Sequence, residues 1–149
     1  MEVIIRKGLK SDVPAAFDLI KELAIYEKAE DQVSNTIEMM YKDGFGENPI
    51  FGFYIAENEG LVVGMALYYF RYSTWKGKRL FLEDLIVTKN FRGKGLGEKL
   101  LNEMINEARA SHCSGLMWQV LDWNETAINF YNKFGVRYDK GWYNVHLDF

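Results

Sequence analysis

The sequence predicts a single α/β domain in which a mixed sheet carries helices on both faces. Short runs rich in β-branched and aromatic residues alternate along the chain with segments whose apolar residues recur every three or four positions. The chain has 149 residues, the size of one domain, and 48% of them are hydrophobic, which is enough for a sizeable core. Strands that alternate with helices, together with a hairpin, indicate this layered arrangement.

The first half of the chain predicts strands and helices in turn. Pro14 is tolerated in the first turn of a helix, and apolar residues follow it at helical spacing. The run Gly44-Phe45-Gly46 suits a helix end, because glycine adopts the left-handed conformation that closes helices. The expected elements are a strand at 2–7, a helix from near Ser11, a shorter helix from Ser34 or Asn35 to just before Gly44, and antiparallel strands at 51–57 and 61–72.

The second half predicts a strand, a glycine loop and a helix, followed by further strands and one more helix. The expected elements are a strand at 80–88, a loop at 92–97, a helix from Leu96, a strand at 115–121, a helix at 124–134 and strands at 136–138 and 142–147. Glu83 and Asp84 lie inside the first of these strands, where carboxylates are rarely found without a partner or a task. Regular pairing would point them to opposite faces of the sheet, and a bulge would change that.

Charge and cysteine content exclude several classes of protein. The 18 basic and 21 acidic residues give a net charge of -3, so no cationic field is available for nucleic acid or anionic lipid. Cys113 is the single cysteine and cannot form an intramolecular disulfide, and the first residues lack the apolar run of a signal peptide. His112 and His146 are too isolated to indicate a metal site. We expect a cytoplasmic protein that binds neither nucleic acid nor membrane.

The loop Arg92-Gly93-Lys94-Gly95-Leu96-Gly97 lies between a predicted strand and a predicted helix. Bare backbone N–H groups and the positive end of a helix dipole meet there, which suits a phosphate or pyrophosphate group. The loop is neither a Walker loop, since no Gly-Lys-Ser/Thr follows, nor the dinucleotide fingerprint, which has glycine where this chain has Glu98. On these residues alone, an ordinary glycine-rich turn is nearly as good an interpretation as a phosphate-binding loop.

The loop resembles a motif of the GNAT acetyltransferase superfamily. Arg92, Gly95 and Gly97 match its Arg/Gln-x-x-Gly-x-Gly/Ala pattern, between a strand and a helix as in that fold. The similarity runs from about Arg6 to about Trp142 and is closest to the diamine branch, the spermidine/spermine and thialysine N-acetyltransferases. The blocks that carry it are Lys21-Glu22-Leu23-Ala24, Tyr26-Glu27, Asp43-Gly44-Phe45-Gly46, Tyr68-Tyr69-Phe70, Leu82-Glu83-Asp84, Trp123-Asn124-Glu125 and Ile128-Asn129-Phe130-Tyr131. It implies a mostly antiparallel sheet with a splayed strand pair at the cofactor site.

The resemblance also implies an acetyl-CoA site and no metal. The strand before the glycine loop would offer backbone hydrogen bonds to the pantetheine arm, and the loop amides would cradle the pyrophosphate. Arg92 and Lys94 would add positive charge at the mouth of the loop, and Asn124 would bond the arm. The implied cofactor-binding residues are Leu85, Ile86, Val87, Arg92, Gly93, Lys94, Gly95, Leu96, Gly97, Glu98, Asn124, Ala127 and Tyr131.

Acetyl transfer to an amine requires a base, because an alkylamine has a pKa near 10.4 and is protonated at neutral pH. Glu83 is the candidate base, and a salt bridge to a nearby cation is the alternative for it. The resemblance implies that Tyr131 is the general acid that protonates the departing thiolate, rather than a core tyrosine. The amide of Leu85 would meet the oxyanion. The implied reaction is a direct attack within a ternary complex.

A cationic substrate should meet acids and aromatic rings. The resemblance implies that Tyr26, Glu27 and Glu83 line the substrate channel, with Asp84 and Trp123 as additions. We expect the acceptor to be the primary amine of a small diamine, polyamine or lysine-like amino acid such as thialysine, and we expect a homodimer. Two alternatives stay open, namely acetylation of a protein or peptide amine and a non-catalytic module that binds acyl-CoA or polyamine.

Overall fold

The sheet has five strands that lie side by side in the order of the sequence. The computed structural model describes residues 2–149, which form two compact units that meet in sequence between Gln119 and Val120. The sheet belongs to the first unit, its first four strands are antiparallel neighbours, and the fifth runs parallel to the fourth. The strands are β1 (Val3–Lys7), β2 (Gly52–Asn58), β3 (Leu61–Ser73), β4 (Gly77–Val87) and β5 (Leu116–Trp118). The predicted mixed fold is confirmed.

Four helices accompany the sheet. They are α1 (Val13–Tyr26), α2 (Ile37–Phe45), α3 (Leu96–Ala110) and, in the second unit, α4 (Glu125–Asn132). A 3-10 turn over Lys10–Asp12 leads into α1, and Pro14 lies in the first turn, which confirms the predicted start near Ser11. None of the helices within residues 2–149 has the length and apolar composition needed to cross a membrane.

Helices α1 and α2 pack on one face of the sheet, here called the α1 face, and α3 packs on the other. The α1 face is a core of buried apolar side chains from both helices and from β2, β3 and β4. Its buried members are Val13, Ala16, Leu19, Met40, Phe53, Ile55, Met65, Leu67 and Ile86. Residues next to these along the strands point the opposite way, because side chains alternate between the faces of a strand. The prediction of helices on both faces is confirmed.

Helix α3 is fixed to its face of the sheet by Glu107. One oxygen of this carboxylate accepts hydrogen bonds from the hydroxyls of Tyr54 and Tyr68, at 3.0 and 3.1 Å, and the other accepts from Ser111 at 3.0 Å. These bonds keep the pKa of Glu107 below its ordinary value against the opposing effect of burial. Because the glycine loop leads directly into α3, the position of this helix also sets the position of the loop.

A β-bulge in β4 changes the direction of one of the two adjacent acids. Leu67 of β3 pairs with Asp84, whereas the next residue, Tyr68, pairs with Leu82, so Glu83 is the extra residue of the bulge. Asp84 shares the α1 face with its cross-strand partner Leu67. Glu83 bonds to Tyr69, which lies two residues after Leu67 and therefore on the same side. Of the two alternatives for Glu83 and Asp84, the structure therefore shows the bulge, which places both acids on the same face.

Several predicted boundaries also differ from the structure. Helix α2 begins at Ile37, where the Thr36 side chain accepts a hydrogen bond from the Met39 amide, and it includes Gly44 and Phe45. Gly46 follows the helix with a φ of -80°, so no left-handed glycine closes it. Strand β4 begins earlier than predicted, at Gly77, and β5 is shorter than the predicted strand at 115–121.

The strands predicted at 136–138 and 142–147 are absent from the structure of the second unit. Aromatic and β-branched residues recur there, but strand propensity yields a strand only when a neighbouring strand supplies hydrogen bonds. Trp142, Val145 and Leu147 are largely exposed in this segment. The turn before it is closed by a hydrogen bond of 3.0 Å from the indole of Trp142 to Asp139.

Candidate active site

The sheet opens along one side of β4. Strand β5 pairs with β4 only at Leu80, Phe81 and Leu82, whereas β4 continues to Val87 with β3 on its other side. After Leu82, some backbone groups of β4 point away from β3. These groups have no hydrogen-bond partner on β5. An extended ligand that carries amide groups can pair with such a strand edge. The early end of the β4–β5 pairing agrees with the splayed strand pair that the family resemblance implies.

The glycine loop adopts a backbone conformation that favours glycine. Gly93 and Gly95 have φ values of 75° and 81°, in the left-handed region, and a Cβ at either position would meet no atom within 4 Å. Gly95 caps α3, and its carbonyl accepts the Lys99 amide at 3.2 Å. The N–H groups of the first helical turn, 96–98, precede that bond and point out of the positive end of the helix. The loop therefore fits a phosphate-bearing group.

Arg92 lies at the base of this loop and is bonded to neighbouring residues. Its Nε donates to the Val87 carbonyl at 2.8 Å, and its Nη2 donates to Glu22 of α1 at 3.1 Å. Its guanidinium also lies 5.4 Å from the ring centroid of Tyr26. The sequence suggested positive charge at the mouth of the loop, and the structure shows Arg92 joining the loop to α1. The Lys94 ammonium lies 5.2 Å from the ring centroid of Phe91.

Asp84 lies near two other carboxylates, those of Glu83 and Glu27, next to the open part of β4. Burial raises the pKa of Asp84 to about 7, and the negative charges of Glu83 and Glu27 contribute to this rise. Burial also raises the pKa of Glu27, which follows the last turn of α1. Glu83 itself is exposed. The described residues include no cluster of three or more His, Cys, Asp or Glu side chains arranged to hold a metal ion.

Tyr69 joins this acidic cluster, and the sequence did not identify it as a site residue. Its hydroxyl donates to Glu83 at 3.4 Å, and its ring stacks on Phe81 with centroids 5.2 Å apart. Burial and the charge of Glu83 raise the pKa of the Tyr69 phenol. The signal was present in the block Tyr68-Tyr69-Phe70, but the contact with Glu83 depends on the pairing of β3 with β4.

The remaining predicted residues lie in the second unit. Asn124 caps α4, and its side-chain oxygen accepts the Ala127 amide at 3.2 Å. Tyr131 lies seven residues after Asn124, two turns along the same face of the helix, and is buried. Trp123 precedes the cap and is 45% exposed. A single short helix thus carries Asn124, Ala127 and Tyr131.

Comparisons with known proteins agree with this geometry. Residues 16–136 match the model of the Acetyltransferase (GNAT) family. The chain belongs to this family. Among similar proteins, the thialysine N-epsilon-acetyltransferase of Sus scrofa is 38% identical over 98% of this chain and 92% of its own length. That of Bos taurus is 41% identical over 91% of this chain and 84% of its own length. This GNAT protein is therefore an N-acetyltransferase.

Solved structures show the same fold. An aminoglycoside acetyltransferase from an uncultured soil metagenomic sample superposes with a TM-score of 0.81 and 19% identity, covering 99% of this chain and 100% of the other. An integron cassette protein from V. cholerae superposes with a TM-score of 0.79 and 22% identity, covering 99% and 93% of the two chains. At these identities the likeness concerns the fold of the acetyltransferase and not its substrate.

Membership of the GNAT family implies acetyl-CoA as the acetyl donor. The chain fits this molecule at two places, because a pantetheine arm carries amides that can pair with the open part of β4 and a pyrophosphate suits the glycine loop. Both places lie in the first unit, and residues 88–91 connect the strand to the loop. When bound, acetyl-CoA supplies an activated thioester to the acetyltransferase.

The raised pKa of Asp84 predicts how the stability of the acetyltransferase depends on pH. In the unfolded chain this carboxyl releases its proton near its ordinary value of 3.8, and in the folded protein only near 7. Between these values the unfolded state binds fewer protons, so the free energy of unfolding falls as the pH rises and then levels off. At pH 8 we expect the free energy of unfolding of Asp84→Asn to be about 2–4 kcal/mol higher than that of the parent.

Urea unfolding of both proteins at pH 4, 6 and 8 measures this difference. At pH 4 the two free energies of unfolding should differ by less than about 1 kcal/mol, since Asp84 is then protonated in the folded state and ionised for only about half of the time in the unfolded state. Asp18→Asn is the matched control, because that exposed carboxylate pairs only loosely with Lys21, at 3.6 Å. An offset between Asp84→Asn and the parent that is the same at every pH would contradict the expectation.

Proposed function

We propose that this protein transfers the acetyl group of acetyl-CoA to a primary amine of a small diamine, a polyamine or a lysine-like amino acid such as thialysine. The cluster of Glu27, Glu83 and Asp84 beside the open part of β4 is the observation that carries this proposal. Concentrated negative charge attracts and binds an ammonium group. The names of two similar proteins support it, a thialysine N-epsilon-acetyltransferase and a spermidine/spermine N(1)-acetyltransferase-like protein.

In this proposal acetyl-CoA is held by β4 and the glycine loop. The backbone of Leu85, Ile86 and Val87 pairs with the pantetheine arm, and the amides of 93–98 bind the pyrophosphate. Lys94 contributes positive charge beside the loop. Asn124 and Ala127 serve the same cofactor from α4, as the family resemblance implies. Arg92 acts on the cofactor through the shape of the loop, because its guanidinium is bonded to Val87 and Glu22.

Glu83 is the proposed general base. The bulge leaves it outside the β3–β4 pairing and exposed, so its carboxylate can reach an ammonium group that arrives from solvent. Tyr69 donates a hydrogen bond to one of its oxygens, which orients the carboxylate. Transfer of the ammonium proton to Glu83, directly or through a water molecule, produces the neutral amine that can attack the thioester. Without this transfer the nitrogen has no free electron pair.

Asp84, Glu27, Tyr26 and Trp123 are the proposed substrate-binding residues in addition to Glu83. Near neutral pH the high pKa of Asp84 means that this acid still holds a proton for part of the time. An ammonium group beside it favours the ionised carboxylate, so binding of the amine releases that proton to solvent. The exposed ring of Tyr26 can contact a second cationic group of the substrate.

Tyr131 is the proposed general acid, and the backbone amide of Leu85 is the proposed oxyanion donor. A phenol beside the departing thiolate can transfer its proton to the sulfur. The second proton lost by the attacking nitrogen then restores the phenol, and the proton on Glu83 is released to solvent, so the protons balance. Tyr131 and Asn124 share one face of α4. The attack takes place within one ternary complex, and no covalent enzyme intermediate is required.

We further propose that the chain is one acetyltransferase domain that works as a homodimer in the cytoplasm. The single cysteine supports a reducing compartment. Gel filtration with light scattering measures the dimer: a mass near twice the 17.4 kDa of one chain is the expected result. A mass of 17.4 kDa across the working concentration range would contradict the dimer and leave the proposed activity untouched.

Acetyl-CoA-dependent thiol release tests the activity directly. The panel of acceptors contains spermidine, spermine, putrescine, thialysine, lysine and a lysine-bearing peptide. We expect release with at least one small amine and a lower kcat/KM with the peptide. Preference for the peptide would favour the protein-acetylating alternative. If no acceptor gives thiol release but addition of CoA raises the melting temperature, a non-catalytic binding module would be favoured.

A further inference from the structure

Glu22, in the second half of α1, accepts three hydrogen bonds from the segment that joins β4 to the glycine loop. One carboxylate oxygen accepts from the hydroxyl of Thr88 at 2.7 Å. The other accepts from the backbone amide of Lys89 at 3.2 Å and from Nη2 of Arg92 at 3.1 Å. The three donors come from three chemical groups within 88–92. Both oxygens of one side chain are therefore used to hold a single loop.

The same contacts join the proposed cofactor site to the proposed substrate site. Arg92 also donates to the carbonyl of Val87, the last residue of β4, and lies over the ring of Tyr26. Tyr26 follows Glu22 by one helical turn, and Glu27, a member of the acidic cluster, comes next. Glu22 thus lies at a point where the end of β4, the loop and the last turn of α1 meet.

We infer that Glu22 is a positioning residue that holds the glycine loop in the shape that binds CoA and fixes this loop relative to the last turn of α1. The inference rests on the proposed cofactor site. A loop that already has its bound shape loses less entropy when the ligand arrives, so its bonds to Glu22 strengthen binding without any contact to the ligand.

A contribution to stability alone does not account for this arrangement. The side chains of Glu22 and Arg92 are 33% and 40% exposed, and ion pairs at such exposure contribute little to global stability. Charge alone also predicts a different outcome. A carboxylate near a phosphate-binding loop repels the phosphates of CoA, so its neutralisation would strengthen binding if charge were the whole effect. Positioning and charge therefore predict changes of opposite sign in the dissociation constant.

Titration calorimetry of CoA with the full chain and its Glu22→Gln variant measures this sign. We expect the Kd for CoA and the KM for acetyl-CoA to rise about five-fold as the loop loses its fixed shape. With both substrates saturating, kcat should stay within about two-fold of the parent, because no reacting group has been removed. Asp18→Asn is the control, since it removes a negative charge from an exposed position on the same helix.

Two further variants keep the test decisive. Thr88→Val removes one of the three donors, and we expect it to raise the Kd for CoA by less than Glu22→Gln does. This variant can replace Glu22→Gln in the test if Glu22→Gln folds poorly. In an Arg92→Gln background, Glu22→Gln should have less effect than in the parent, since one of the three hydrogen bonds that Glu22 accepts is already absent there. Equal effects in both backgrounds would count against the inference.

An unchanged or lower Kd for CoA in folded Glu22→Gln would overturn the inference. The proposed function fails in a different way. If the parent protein does not bind CoA at all, the proposed cofactor site is wrong, and the role of Glu22 falls with it. If the parent binds CoA and acetylates an amine while Glu22→Gln binds CoA equally well, only the positioning role is wrong.

Discussion

Replacement of Tyr131 by phenylalanine is expected to lower kcat by about 10²–10⁴-fold, the usual contribution of a general acid. The phenol proton would otherwise neutralise the CoA thiolate as it departs, and phenylalanine has no proton to give. The ring itself remains, so the buried apolar surface of Tyr131 is kept. CoA affinity should fall by no more than about ten-fold, since at most one hydrogen bond is lost. Thiol release measures kcat, and titration calorimetry measures the affinity.

Tyr138→Phe is the matched control for this experiment. The Tyr138 hydroxyl donates to the side chain of Asn132 at 2.7 Å and to the carbonyl of Ile128 at 3.4 Å, so its loss loosens α4 from outside. An equal fall of kcat in both variants would show that the position of α4, and not the acidity of Tyr131, limits the reaction. A Tyr131→Phe protein with undiminished kcat would remove Tyr131 from the mechanism.

Glu83→Gln is expected to lower kcat/KM by about 10²–10⁴-fold at pH 7, because the amide cannot accept the ammonium proton. The variant can then use only the small fraction of the amine that is already neutral. That fraction rises tenfold with each pH unit until the pKa of the amine, near 10.4. The defect should therefore shrink steadily as the pH is raised. Steady-state rates of the parent and the variant between pH 6 and 10 measure the trend.

Glu59→Gln makes the same chemical change at an exposed acid in the turn between β2 and β3. Its pH profile should match that of the parent. A Glu83→Gln defect that stays constant from pH 6 to 10 would mean that Glu83 binds the substrate and that another group accepts the proton. A higher KM for the amine with an unchanged kcat would point to the same conclusion.

Most of the fold could be predicted from the sequence because the central elements have clear periodicity. The apolar spacing in α1 and α3 and the two runs on either side of residues 58–60 identify elements that bury a whole face. The predictions failed where an element depends on a partner. The segment 142–147 has the composition of a strand, yet it lies in no ladder, and β5 keeps only the residues that pair with β4.

In the candidate site, too, local features could be predicted and features that depend on distant residues could not. The glycine loop is local, so its motif could be identified in the sequence. The bulge at Glu83 could not, because a bulge is a mismatch between two strands and only one of them contains the acids. The contacts of Tyr69 and Glu22 likewise join residues far apart in the chain, 14 and up to 70 positions away. Their residue types alone carry no sign of these contacts.

Because Glu83 lies outside the β3–β4 pairs, the number of acids that β4 contributes can change without a change in strand pairing. Removal of Glu83 by a one-residue deletion would bring Leu82 and Asp84 into consecutive pairs with Tyr68 and Leu67, which is an ordinary antiparallel ladder. Ile86 would keep its place in the core, and β4 would contribute one acid to the acidic cluster instead of two. A one-residue deletion is thus enough to remove the proposed base while the neighbouring residues of β3 and β4 stay paired.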